Sequence, residues 1–332
     1  MISRVADHCF WLGRYIERAE STARLLQVTR TLAFDAELPP MSCWRPLVTV
    51  SGQYPELAAH LGAEAAGNGE AVQRYMTWAP DNPVSIRSSI RAAREGARSI
   101  REVIGHDIWE ATNDLYLWFM GEGAAAQYLQ DRDEVYRHVR RSTQLCLGLI
   151  RSTMLHDEPM DYLWLGVMLE RVGQTARTLD MHHHIRTAAG PGNQSLLQTA
   201  LWLSLLRACS GFEAFMRRQH GRVSGEAVIA FLLFEARFPR SLRYCLRSAL
   251  GLFGRLAPAQ GGGIATGRAR LESLDAWLDG QEKTGGIVSD HALLTRVVDD
   301  TAAACAAIQQ RLAGKDELAL DHQPASAQAQ TQ

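Results

Sequence analysis

A stretch written twice constrains this chain more than any other feature. Trp11-Leu12-Gly13-Arg14-Tyr15-Ile16-Glu17-Arg18-Ala19-Glu20-Ser21-Thr22-Ala23-Arg24-Leu25-Leu26 returns as Trp164-Leu165-Gly166-Val167-Met168-Leu169-Glu170-Arg171-Val172-Gly173-Gln174-Thr175-Ala176-Arg177-Thr178-Leu179. Both copies carry the pattern W-L-G-x3-E-R-x3-T-A-R-x-L, at a constant offset of 153. A fixed-period echo of that length reads as an internal duplication.

Helical periodicity explains the apolar letters. Leu12, Ile16, Ala19, Ala23 and Leu26 recur at four- and three-residue steps, one stripe facing a core, and Leu165, Leu169, Val172, Ala176 and Leu179 repeat it. Packing does not explain the charged letters. Gly13, Glu17 and Arg24 share roughly one side of the helix, as do Gly166, Glu170 and Arg177. A glycine beside a glutamate allows another backbone or a ligand close approach. Glu17 and Arg24 stand too far apart for an i, i+4 pair, so each is expected to find its partner elsewhere. Two readings stay open: a buried glutamate–arginine network that fixes how the halves dock, or a site for a ligand, peptide or metal.

Composition narrows the classes. The chain has 332 residues, 46% apolar and 21% charged, enough for a sizeable core in one large domain or two. A formal net charge of −1 gives no field that favours nucleic acid or an anionic membrane surface. No apolar run approaches the ~18 residues of a membrane helix, and the charged opening helix is no signal peptide. Cys9, Cys43, Cys146, Cys209, Cys245 and Cys305 stand singly, without metal spacing, and read as reduced, mostly buried thiols of a cytoplasmic protein.

Along the chain, helices are expected over about 5–35, over 44–62 with a break at Pro55, through Trp78, over Ile86–Ile104, from Asp107, over Asp131–Leu155, and again through the second copy of the motif. Gly121-Glu122-Gly123 and Gly261-Gly262-Gly263 read as loops, and helices near 267–279 and 288–313 close the fold. Gly225-Glu226-Ala227-Val228 echoes Gly69-Glu70-Ala71-Val72, and Pro239, Ser241, Arg243 and Arg247 echo Pro83, Ser85, Arg87 and Arg91, both at an offset of 156. The expected fold is all-α: two related half-bundles, 1–157 and 158–313, about a pseudo-two-fold, with a disordered tail over 314–332.

Several constellations could carry chemistry. Glu17 and Glu20 lie one turn apart among Arg14, Arg18 and Arg24, and such a pair can exchange a proton or hold a cation. Glu17, Glu20 and Glu170 are therefore the catalytic candidates. Arg14, Arg18, Arg24, Arg171 and Arg177 are candidate carboxylate-binding residues, since the guanidinium fork suits that group. No E-x-x-H occurs on the helix, which argues against a di-metal centre, and no metal is assigned. Consecutive His182, His183 and His184 point ~100° apart and cannot all reach one ion, though Asp180 and His184 could share a site. Glu110 and Asn113 belong to a polar cluster with His106 and Asp107 at a helix start. Capping explains the acids there but not Asn113. The arginines at 87, 91, 94, 98 and 101 read as a solvated face.

These residues resemble the bacterial alpha-E domain family. The resemblance rests on Ser3-Arg4-Val5-Ala6 with Trp11 to Glu20, on Asn82-Pro83-Val84-Ser85, on Ala92 to Arg98, on Trp109-Glu110-Ala111-Thr112-Asn113, on Leu165-Gly166 with Glu170-Arg171, and on Phe238-Pro239-Arg240-Ser241. It implies an all-helical protein in a system that forms or modifies amide bonds in peptides. The implied partners are a circularly permuted ATP-grasp protein and a transglutaminase-like cysteine peptidase. ATP and magnesium would sit on the ATP-grasp partner, so no cofactor is assigned to this chain. The family's second motif usually reads E-R-A-D where this chain has Glu170-Arg171-Val172-Gly173, and Ser21 stands where Asn is common. Three functions follow as expectations: a component that binds peptide or partner in a Glu/Arg-lined groove between the halves, a stand-alone acid–base or metal-dependent enzyme, or a non-catalytic helical scaffold.

Overall fold

The computed structural model describes residues 3–35, 38–189, 194–220, 223–256, 263–283 and 291–312. In chain order the helices are α1 (Ser3–Asp35), α2 (Pro40–Val50), α3 (Tyr54–Leu61), α4 (Gly69–Trp78), α5 (Ile86–Ser99), α6 (Arg101–Ile104), α7 (His106–Met120), α8 (Glu122–Gln130) and α9 (Arg132–Thr153). After them come α10 (Glu158–Ala189), α11 (Gln194–Ala208), α12 (Phe212–Gln219), α13 (Gly225–Phe234), α14 (Leu242–Arg255), α15 (Gly263–Lys283) and α16 (His291–Leu312). A 3-10 turn, Ala63–Gly67, joins α3 to α4. No strand occurs among the described residues, so the fold class is all-α.

The two helices that carry the doubled motif cross at the centre. A Cβ on Gly13 would stand 2.1 Å from the Leu163 carbonyl oxygen, and one on Gly166 would stand 2.0 Å from that of Phe10. Both separations are far inside contact, so only glycine lets these backbones touch. Helix α1 packs on α5, α9 and α11, while α10 packs on α14, α16 and α2. Asn68 caps α4 and Ser224 caps α13, each accepting from backbone N–H groups of the first turn. The first glycine of each of those helices, Gly69 and Gly225, lies against a tryptophan, Trp44 and Trp202. Ser85 and Ser241 cap α5 and α14, and each also donates back to a carbonyl six residues upstream, Ala79 at 2.8 Å and Glu235 at 2.6 Å.

Both apolar stripes are buried as periodicity requires. The core forms two clusters, and neither stops at residue 157. One joins Phe10, Leu12 and Ile16 of α1 to most of α10 and the later helices. The other joins Ala23, Leu26 and Leu32 of α1 to helices α2–α5 and α7–α9 and to Met181 and Ile185 of α10. Each buried Leu or Ile contributes about 1.5–3 kcal/mol.

Several expected boundaries move. The helix expected over 44–62 is two, because the chain turns at Gly52 with φ +73 and Pro55 then sits in the first turn of α3, where a missing N–H costs nothing. The helix expected over Ile86–Ile104 ends at Ser99, and Ile100 leaves helical geometry with φ −129 and ψ 22. Glu122 and Gly123 are helical, not looped, so only Gly121 separates α7 from α8. Gly263 opens α15 instead of lying in a linker, since a Cβ there would meet the Ala307 carbonyl oxygen at 1.8 Å and the glycine lets α15 lie on α16. The loop residues 261–262 and the tail 314–332 fall outside the described residues.

Candidate functional site

At the crossing, the Glu-Arg dipeptides of the two motif copies exchange partners. Arg171 of α10 places Nε 3.0 Å from Glu17 Oε2 on α1. In return Arg18 of α1 grips Glu170 of α10 with two bonds, Nε to Oε1 and Nη2 to Oε2, both 2.8 Å. Each glutamate also accepts from a polar side chain four residues on, Ser21 at 3.4 Å and Gln174 at 3.0 Å. Glu17 and Arg24 do not pair with each other: Glu17 finds Arg171 on the other helix, and Arg24 finds Glu20 one turn back on its own.

Further arginines complete the network. Arg14 donates from Nε to Glu170 Oε2 at 2.9 Å and lies over the Trp11 ring at 4.7 Å. Arg240 bridges both glutamates of α1, reaching Glu17 Oε1 at 2.7 Å and Glu20 Oε2 at 3.0 Å. It is placed there by the second motif copy: Thr175 Oγ1 donates to the Arg240 carbonyl at 3.0 Å, and Arg171 reaches that of Pro239 at 3.5 Å. Arg24 pairs with Glu20 one turn back on α1. Arg140 of α9 approaches Glu20 Oε1 at 3.9 Å, and Gln144 donates to the same oxygen at 3.5 Å.

The carboxylates are enclosed. Glu17 and Glu20 expose 0% of their surface and Glu170 exposes 3%. Burial by itself would raise Glu170, but the Arg18 and Arg14 guanidiniums outweigh it and hold the carboxyl well below its usual range. Burial is outweighed at Glu17 too, by Arg171, Arg240 and Arg24. The arginines feel the converse: burial, then the charges of Arg240 and Arg140, push Arg24 down. Arg177 is pushed down by burial, with Arg18 and Arg14 adding to it. Guanidiniums outnumber the carboxylates around them.

Two concavities border the network. A groove of about 660 Å³ lies between Gln27 and Thr31 of α1, Arg140 of α9, Ser204 and Arg207 of α11, and Glu213 of α12. A smaller cavity of about 120 Å³ is lined by Arg18, Glu170, Gln174 and Arg177 on one side and by Leu25, Leu47, Met76 and Val84 on the other. Arg140 thus carries the larger groove to Glu20, while Glu170 and Arg177 open on the smaller cavity.

The remaining candidates lie apart from this network. Glu110 is exposed, and Asn113 accepts from Arg94 Nε at 3.3 Å, which gives that amide its partner. No side chain caps α7; Gly105, with φ +83, precedes it. Arg94 is the half-buried member of the arginine ladder, lying 4.9 Å over Tyr116, and the other four are exposed. Asp180 accepts from His291 Nδ1 at 2.7 Å and faces His184 Nε2 at 3.7 Å. Ligand atoms of these three residues lie within 4.8 Å of one another, close enough to face one cation. His182 turns away against Trp202, and burial pushes it to about 3. All six cysteines are buried, and burial raises every thiol, Cys209 and Cys245 to about 12, so none is a ready thiolate.

Arg240, Arg140, Gln144 and Gln174 were not among the residues singled out by sequence. Arg240 lies inside the Phe238-Pro239-Arg240-Ser241 stretch of the resemblance, which was the one available signal. Arg140 carried none.

A family description, Alpha-E, "A predicted alpha-helical domain with a conserved ER motif", matches residues 1–314. An uncharacterized protein of Mycobacterium bovis is 29% identical over 258 residues, covering 73% of this chain and 28% of its own length. Uncharacterized proteins of two Mycobacterium tuberculosis strains are 29% and 28% identical over the same span. The chain therefore spans little more than a quarter of the length of these relatives. No solved structure matches. No described helix is long and apolar enough to cross a membrane.

Proposed function

We propose, because the chain belongs to the Alpha-E family, that it is a recognition component of a system that forms or modifies amide bonds, binding an anionic, peptide-like segment against the arginines of the α1–α10 crossing. The observation that carries this reading is charge imbalance. Among the described residues Arg14, Arg18, Arg24, Arg140, Arg171, Arg177 and Arg240 outnumber the carboxylates of Glu17, Glu20 and Glu170 that they surround. Half-buried like charges left uncompensated are costly, and an acidic ligand would relieve them. The groove beside Arg140 and Arg207 is of a size that takes a short peptide.

The two halves are read as duplicate copies about a pseudo-two-fold, supported by the exchanged Glu–Arg pairs and the matched glycine contacts. The ATP-grasp protein and the transglutaminase-like peptidase are the proposed partners, with ATP and magnesium held by the former. Glu17 and Glu20 serve electrostatics in this reading. Their enclosure by guanidiniums supports that role over proton exchange, and equally supports a scaffold that holds the halves together.

Titration with a hexaglutamate peptide tests the reading. Binding is expected at low salt, weakening as the ~10 Å screening length at 0.1 M shortens, and falling about tenfold in Arg140→Gln for a lost charge-assisted contact. A peptide that does not bind at low salt would overturn it.

A further inference from the structure

The motif copies differ at one acid, and a cavity adjoins the arginine that this acid would pair with. Offset by 153, the counterpart of Glu20 is Gly173 and the counterpart of Arg24 is Arg177. On α1, Arg24 pairs with Glu20. On α10, Arg177 has no acid one turn back, and its guanidinium folds over Gly173, with Nη1 2.8 Å from where a Cβ would be. Among the described residues Arg177 makes no hydrogen bond or ion pair, though it lies within the electrostatic reach of Glu170. Glu170 is already saturated by Arg14, Arg18 and Gln174.

A second difference reinforces the first. At the offset of 156, Arg240 corresponds to Val84. Arg240 fills the α1 side of the network, held by Thr175. Val84 is short and lines the cavity instead, and Thr22, the counterpart of Thr175, borders the same space with no hydrogen-bond partner among the described residues. The space left is about 120 Å³, comparable with cavities of roughly 150 Å³ that accept a benzene-sized guest. One wall carries the Arg177 guanidinium and the Thr22 hydroxyl beside Glu170, whose charge Arg14 and Arg18 already offset. The other is Leu25, Leu47, Met76 and Val84.

We propose that this cavity is a binding site for a carboxylate borne on a short aliphatic body, such as the C-terminal carboxylate of a peptide that ends in an aliphatic residue. The ligand's carboxylate stands to Arg177 as Glu20 stands to Arg24, and its alkyl part lies on the apolar wall. A guanidinium fork matches a carboxylate's two oxygens, while four apolar neighbours disfavour a fully hydrated anion. The site deepens the recognition role proposed above and rests on it for biological meaning, but it is tested separately.

The probes are isovalerate, its uncharged isostere isovaleramide, and inorganic phosphate, each titrated into the full chain and followed by thermal shift and calorimetry. Isovalerate is expected to bind and stabilise, with the other two at least tenfold weaker. Gly173→Glu, which restores the acid that α1 carries, is expected to abolish isovalerate binding. Arg177→Gln removes the cation and is expected to weaken it at least tenfold in a protein with wild-type helicity. Equal binding of acid and amide, equal binding of phosphate, or unchanged isovalerate affinity in a folded Arg177→Gln protein would each overturn the site. Hexaglutamate separates the two readings: binding that survives in Arg177→Gln, with no isovalerate binding in the wild type, rejects this cavity and leaves the groove standing.

Discussion

Arg171 sits 3.0 Å from Glu17 across the helix crossing, and Arg18 holds Glu170 in the opposite direction at 2.8 Å. The acid and base of each Glu-Arg pair thus serve the other helix. Neither helix can shift along its partner without breaking a buried ion pair. This lock depends on backbones in contact, which the glycines one turn before each glutamate permit.

Gly13→Ala is expected to destabilise the fold by about 1–3 kcal/mol, as overpacking does when the obstacle is backbone. The added carbon would stand 2.1 Å from the Leu163 carbonyl oxygen, and helices cannot yield there without parting. Gly148→Ala, at an exposed position of α9 with nothing within 4 Å, is the control and should stabilise by about 0.4–1 kcal/mol. Urea unfolding of the two variants reads both signs.

Replacing Glu17 by Gln keeps the shape and removes the charge that Arg171 and Arg240 share. Breaking one side of a buried pair costs about 3–5 kcal/mol, because the other side stays buried and uncompensated. Adding Arg171→Gln to that variant should cost less than Arg171→Gln does alone. A double-mutant cycle by chemical denaturation checks the coupling, and strict additivity would contradict the pairing.

The network also sets an acid limit. The carboxyls of Glu17 and Glu170 are lowered in the folded state from an ordinary value of 4.5. Their contribution is therefore complete above about pH 4.5, where the unfolded chain is also ionised, and is lost as pH falls toward the lower folded values. Tm should fall between pH 5 and pH 3, and Glu170→Gln should flatten that fall while lowering Tm at pH 7. A wild-type Tm that rises on acidification would contradict the assigned direction.

Ser85→Ala and Ser241→Ala should each cost roughly 1–2 kcal/mol, at the upper end for a helix cap, since each hydroxyl also donates to an upstream carbonyl at 2.8 or 2.6 Å. Near-equal losses in thermal unfolding would match the like roles of the two positions. A loss confined to Ser85→Ala would show that they differ.

Much of this was legible in the residues alone. A repeat at offset 153, apolar stripes at helical spacing and glycines beside glutamates specify the helices, their buried faces and their point of closest approach. Those are local properties: helix geometry follows from the order of neighbours, and a glycine permits close approach without specifying what comes close. The Glu20–Arg24 pair also lies within local reach at i, i+4.

Pairing between segments was another matter. Nothing in the spacing says that Arg240 bridges Glu17 and Glu20, that Arg140 reaches Glu20, or that His291 joins Asp180. Each depends on how distant helices are laid against the crossing, and electrostatic partners are chosen by distance in space. The sequence by itself determined an all-helical chain with two marked helices and showed Gly173 where the other copy has Glu20. Only the tertiary structure decided what that difference does, because packing alone determines whether a missing side chain closes over or leaves a cavity beside an unpaired arginine.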